Sequence, residues 1–177
     1  LHLKNGGAIR AQLIIAADGA NSPIRSELGI TASEESYSQS AVVANWTCKY
    51  PHLETAFQWF LPGGDIVAML PLPGKQVSMV WSTSSENATQ LLKLQQDQWV
   101  DHLSSIANGA IIKQLGDLTL NSIPAAFPLR KIRAQRFIGP DSSPKVVLIG
   151  DAAHLALPFT SAGTTNAIMD AQILSEV

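Results

Sequence analysis

The chain has 177 residues, 46% of them hydrophobic, a formal net charge of −2 and one cysteine, Cys48. That is enough apolar material for one medium domain or two small ones, and the charge balance offers no electrostatic case for nucleic acid or an anionic membrane surface. A lone cysteine excludes an internal disulfide and a cysteine-based metal cluster, and no apolar run approaches the ~20 residues of a membrane span.

Leu1 and Leu3 alternate with polar neighbours, and Asn5-Gly6-Gly7 supplies a hairpin turn. Leu13 to Ala17 is a wholly apolar strand that ends on Asp18-Gly19. Ser22 is placed to cap a short helix with Pro23 at its first position and Gly29 at its end. Ala41–Thr47, Phe57–Phe60, Ile66–Leu72 and Gln76–Ser82 read as short strands joined by Gly/Pro turns, the pattern of an antiparallel meander. A helical zone opens at Ser85, carries Leu91, Leu92, Trp99, Leu103 and Ile106 on one side, and is expected to end at Asn108-Gly109. Ala126–Arg130 reads as a last strand of the meander, and Ala134–Ile138 leads back to the α/β part. Val146–Ile149 is a second continuous apolar run, which suits a strand buried on both faces. It ends on Gly150-Asp151, and Ala162 to Ala171 follows as a helix.

Two strand–acid junctions thus stand over a hundred residues apart, and a compact parallel sheet brings them side by side. Open α/β sheets bind ligands at the carboxyl ends of their strands, and a helix N-terminus there can meet an anion or a polar ring edge. The pattern is half of a cofactor site. Taken alone, Asp18-Gly19 reads equally well as a turn; a charge on a helix surface is the less favoured alternative for Arg25. His2, His52 and His102 read as surface residues, and His154 as a packing or backbone-bonded histidine rather than a base. Phe57, Trp59 and Trp81 read as core, Cys48 as an inert packed thiol, and the Arg130, Lys131, Arg133 cluster as a solvated face. The expected organisation is α/β material at residues 1–37 and 134–177 around a β-rich insertion at 38–133.

At Asp18-Gly19-Ala20-Asn21-Ser22-Pro23-Ile24-Arg25 and Gly150-Asp151-Ala152-Ala153-His154 the chain resembles the class A FAD-dependent aromatic hydroxylases, in their D-G-x-x-S-x-x-R and Gly-Asp motifs. Phe57 to Trp81 and Phe127-Pro128-Leu129 are similar to the ubiquinone-biosynthesis branch. The resemblance implies an α/β fold: an incomplete FAD-binding Rossmann-like domain with an inserted antiparallel-sheet substrate domain. It implies FAD as cofactor, NAD(P)H as reductant, and a small aromatic, polyprenylated substrate. Such a substrate implies peripheral contact with a membrane, and the expected location is cytoplasmic. It assigns cofactor binding to Asp18, Gly19, Arg25, Gly150, Asp151, Pro158, Gly163, Thr164 and Thr165, with Asp151 on the ribitol hydroxyls.

The chain departs from that branch after the Gly-Asp motif. Where the branch reads His-Pro-Leu-Ala-Gly-Gln-Gly-x-Asn, Leu157 to Thr165 keeps Pro158 and Gly163 but has Leu157 for the histidine and Ser161-Ala162 for Gly-Gln. This leaves a related FAD-dependent halogenase or reductase as the alternative, with a non-catalytic binding fragment as a third. No G-x-G-x-x-G occurs, and both ends fall inside apparent elements. The 177 residues are therefore expected to be part of a longer polypeptide and, alone, to bind FAD weakly or not at all.

Overall fold

The computed structural model describes residues 2–3, 6–140, 142, 145–157 and 162–176. In chain order the first elements are β1 (Ile14–Ala16), α1 (Pro23–Glu27) and a long β2 (Ala32–Cys48). A meander follows with β3 (Phe57–Phe60), β4 (Ile66–Leu72) and β5 (Gln76–Ser84). Helices α2 (Ser85–Leu91), α3 (Gln96–Ser105) and α4 (Ala110–Leu115) come next, then β6 (Leu118–Leu120) and β7 (Ala125–Ala134). The chain closes with β8 (Val146–Leu148), β9 (His154–Leu155) and α5 (Ala162–Ser175). The larger sheet has the order β3-β4-β5-β2-β7-β9 with β6 alongside β2, and β1 and β8 form a separate pair.

The chain divides into two compact units, one of Leu1–Ser36 with Arg130–Val177 and one of Tyr37–Leu129. In the second unit, Val42, Ala44, Trp46 and Cys48 alternate along β2 and are all buried, as the two-residue period of a strand requires. Their cross-strand partners on β5 include Trp81 opposite Val42, Met79 opposite Ala44 and Val77 opposite Trp46. Helix α3 lays Trp99 and Leu103 on this face, and α4 adds Ile111 and Leu115. The Trp99 ring meets Trp46 and Trp81 edge to face, with centroids 6.0 and 6.3 Å apart. Each large apolar side chain buried this way contributes about 1.5–3 kcal/mol, and this aromatic centre ties the helices to the sheet.

Several elements differ from the sequence reading. Strand β2 starts nine residues before Ala41, because residues 32–39 are mostly exposed and carry no apolar signal. The helical zone continues past Asn108-Gly109: Ala107, Asn108 and Gly109 take φ of 51°, 54° and 72°, a left-handed kink, and α4 resumes after it. The three-residue β6, pairing Leu118 with Cys48, went unanticipated. The β1–β8 pair is covered chiefly on one face, by Ile30, Ala134 and Ala153 around Ala16 and Leu148. Ile15 remains 50% exposed, so this is not a strand pair buried on both sides.

Two of the three histidines expected at the surface are built into the fold. The buried His52 directs Nε2 at the carbonyls of Leu72 and Gly74, both at 2.9 Å, while its Nδ1 accepts the Glu54 N–H at 3.0 Å. That pins the β4–β5 turn to the loop after β2. His102 stacks on Trp81 at 5.2 Å.

Candidate functional site

Strands β1 and β8 run parallel with Ala16 opposite Leu148, so both acid-bearing ends emerge at the same edge. The Ile149 N–H donates to the Ala16 carbonyl at 3.0 Å and continues the pairing to the point where the strands stop. Beyond β1, Gly19 turns the chain at φ 84°, a region glycine enters without a Cβ penalty. Asp18 then accepts the Ile24 N–H at 3.1 Å and Ser22 accepts the Arg25 N–H at 2.9 Å. Two side chains thereby satisfy two of the orphan donors that open α1.

Arg25 joins the two motifs. One guanidinium nitrogen donates to the Ala152 carbonyl and the other to the Ala20 carbonyl, both at 2.8 Å. The alternative of a plain surface charge does not hold for Arg25: its rigid fork spans two backbone acceptors that lie 127 positions and 5 positions away in sequence.

On the β8 side, Gly150 takes φ 55° and opens a single turn, Gly150–Ala152, with Asp151 at its middle. A Cβ on Gly150 would stand 3.2 Å from the Ala167 Cβ of α5. The Asp151 carboxylate is exposed and has no hydrogen-bond partner among the described residues. The next polar side chain, His154, pairs through Nε2 with Asp170 Oδ2 at 2.8 Å, so its partner is a carboxylate and not the backbone. Its ring lies 5.6 Å from Phe137 and lines a cavity of about 250 Å³ that also includes Asn166.

Gly163, Thr164 and Thr165 form the first turn of α5. Gly163 has open space where a Cβ would point, and both threonines are exposed. Pro158 lies outside the described residues. The structure therefore gathers Asp18, Gly19, Arg25, Gly150 and Asp151 at one sheet edge, with α5 packed on the turn through Ala167 and Asp170. Asp170 is the residue the sequence reading missed. The available signal was that it is the only charge between Ala162 and Ser175 and stands on a partly buried face.

Asp151 is thus an exposed carboxylate with no hydrogen-bond partner among the described residues, on a turn that a side chain at Gly150 would crowd. The model of the FAD binding domain family matches residues 2–176. The chain belongs to that family. It is 33% identical over 201 residues to the ubiquinone biosynthesis monooxygenase COQ6 of Danio rerio, covering 99% of this chain and 41% of that protein. Similarity to the 3-demethoxyubiquinol 3-hydroxylase of Escherichia coli is 32% identity over 177 residues, covering all of this chain and 43% of the other. Among solved structures, PqsL, a probable FAD-dependent monooxygenase from Pseudomonas aeruginosa, superposes with a TM-score of 0.77 at 22% identity, over 99% of this chain and 48% of that one. The resemblance carried by the two aspartate motifs is borne out at the level of the family, as is the mixed α/β fold with an antiparallel sheet. The chain spans about two fifths of the length of the curated relatives it matches.

Proposed function

We propose that the polypeptide containing this chain is an FAD-dependent monooxygenase that hydroxylates an aromatic ring, with NAD(P)H as reductant and a polyprenylated phenol of ubiquinone synthesis as substrate. The observation that carries this reading is the Arg25 fork, which locks two strand-end acid motifs into one edge. The names of the ubiquinone-pathway relatives support the substrate class.

In this reading Asp151 accepts hydrogen bonds from the ribitol hydroxyls, and Gly150 lets the backbone approach. Asp18, Gly19 and Arg25 brace the turn from the β1 side. The opening of α5 at Gly163, Thr164 and Thr165 presents backbone to the flavin ring edge, where N–H groups stabilise negative charge. The bound flavin supplies the electron and oxygen chemistry. The β-rich insertion, residues 38–133, forms the substrate domain. No helix among the described residues is long and apolar enough to cross a membrane, and a polyprenyl substrate would be met by peripheral contact.

The test is aerobic turnover of the complete polypeptide with a prenylated phenol, NADH or NADPH and labelled O₂. Bound flavin, substrate-stimulated NAD(P)H oxidation and one labelled oxygen in the product are expected. Purified protein that neither carries nor binds FAD would overturn the reading. The altered Leu157–Thr165 stretch favours a halogenase or reductase as second reading, and a hydroxylated product would count against it.

A further inference from the structure

The Asp151 side chain makes no hydrogen bond to another protein group among the described residues, so the backbone that carries it matters for its direction. That backbone is held on both sides. The Ala152 carbonyl accepts from Arg25 at 2.8 Å, and the Gly150 N–H donates to Asp170 Oδ2 at 2.8 Å. The same Oδ2 also meets His154 Nε2 at 2.8 Å. One oxygen on α5 therefore ties down the residue before Asp151 and the side chain three residues after it. A carboxylate oxygen accepts, so His154 Nε2 is the donor in this pair, and Nδ1 is buried with no partner among the described residues.

The placement of Asp170 follows from helix periodicity. Gly163, Ala167, Asp170 and Leu174 are the half-buried positions of α5 beyond its first residue, spaced four, three and four apart as one face of a helix must be. Ala167 fills the space beside Gly150, and one turn further on Asp170 reaches the Gly150 N–H. The other faces leave Ile168, Met169 and Ile173 exposed, and the face on the turn is Gly163, Ala167 and Leu174 with one carboxylate.

We infer that Asp170 is the positioning residue of the cofactor half-site: it fixes the Gly150–Ala152 turn and the His154 tautomer, and through them aims Asp151. This rests on the flavin reading above. It requires no contact between Asp170 and the cofactor.

The test uses the complete polypeptide, with FAD affinity measured by quenching of flavin fluorescence and His154 followed by imidazole ¹⁵N shifts. Asp170→Ala should weaken FAD binding about tenfold or more, the loss of two hydrogen bonds to the turn and its neighbour, and should release the fixed Nε2–H tautomer. Asp170→Asn keeps a carbonyl oxygen that can accept both donors, and should restore affinity to within about threefold of wild type together with the Nε2–H signal. Loss of packing alone would weaken affinity without shifting the His154 ¹⁵N signal, which is the readout that separates the two. If Asp170→Ala does not fold, Asp170→Ser, whose oxygen is too short to reach both donors, takes its place with the same expectation. Wild-type affinity in the Ala or Ser variant, or an Asn variant as weak as Ala, would overturn the assignment while leaving the flavin reading intact. Absence of FAD binding by wild type would remove both.

Discussion

Substituting Gly150 with alanine perturbs the turn in two ways that can be sized from the structure. At φ 55° an L-residue with a Cβ costs about 1–2 kcal/mol. The new Cβ would also stand 3.2 Å from Ala167 Cβ on a buried stretch, which forces a small retreat of α5 and costs on the order of 1 kcal/mol more. Alanine restricts the unfolded chain and returns about 0.4–1 kcal/mol, so the net destabilisation is about 2 kcal/mol. Urea unfolding of the apo form of the complete polypeptide reads this directly. With a slope of about 1–3 kcal/mol per molar, the midpoint should fall by roughly 1 M. Gly163→Ala is the internal control: a Cβ there meets nothing within 4 Å, so the midpoint should hold or rise, since alanine favours a helix over glycine. The same change places a methyl group where the flavin reading needs bare backbone, so FAD affinity should drop while stability does not. A Gly150→Ala protein with the wild-type midpoint would refute the claim that left-handed geometry and close helix approach shape this turn.

Asp151→Ala removes an exposed carboxylate without a hydrogen-bond partner among the described residues, so stability should stay within about 0.5 kcal/mol. FAD affinity should fall ten- to a hundredfold, about the worth of a charged hydrogen bond; titration calorimetry on the complete polypeptide separates the two. Arg25→Lys replaces a two-pronged donor by a point charge that reaches one of the two carbonyls, and should cost about 1–2 kcal/mol in urea unfolding. Cys48 is buried, and desolvation pushes its thiol pKa up. Because the thiolate is the nucleophile, alkylation of the native protein near pH 8 should be slow and should become fast on unfolding. The raised folded pKa has a linkage consequence of definite sign: the stabilisation is complete below the unfolded thiol pKa and is lost as pH climbs through the folded one. Rapid native alkylation would show that Cys48 is not packed as described.

What was legible in the sequence were features that write themselves into residue identity. A run of apolar residues ending on Asp18-Gly19 or Gly150-Asp151 marks a strand end, and Ser22-Pro23 marks a helix start. What escaped were interactions whose second partner is backbone, because a carbonyl or an N–H has no letter. Arg25 looks like any surface arginine until Ala20 and Ala152 are folded to it. His52 looks exposed until its loop closes on Leu72 and Gly74, and Asp170 gains its meaning from a Gly150 N–H. Asn108-Gly109 misled for a related reason: the pair supplies left-handed residues, which can end a helix or kink it, and α4 packing through Ile111 and Leu115 decides between them.

The Arg25–Ala152 hydrogen bond also sets an order of events along the growing chain. Tyr37–Leu129 is one continuous stretch with its own aromatic core. Leu1–Ser36 must wait for Arg130–Val177 before its acid motifs have anything to close on. The entropy of closing that loop grows only with the logarithm of its length, so doubling the intervening stretch costs about 0.6 kcal/mol. The middle unit is therefore free to lengthen, shorten or be rebuilt, while Arg25 goes on reporting a single fact about it: that its two ends return to the same place.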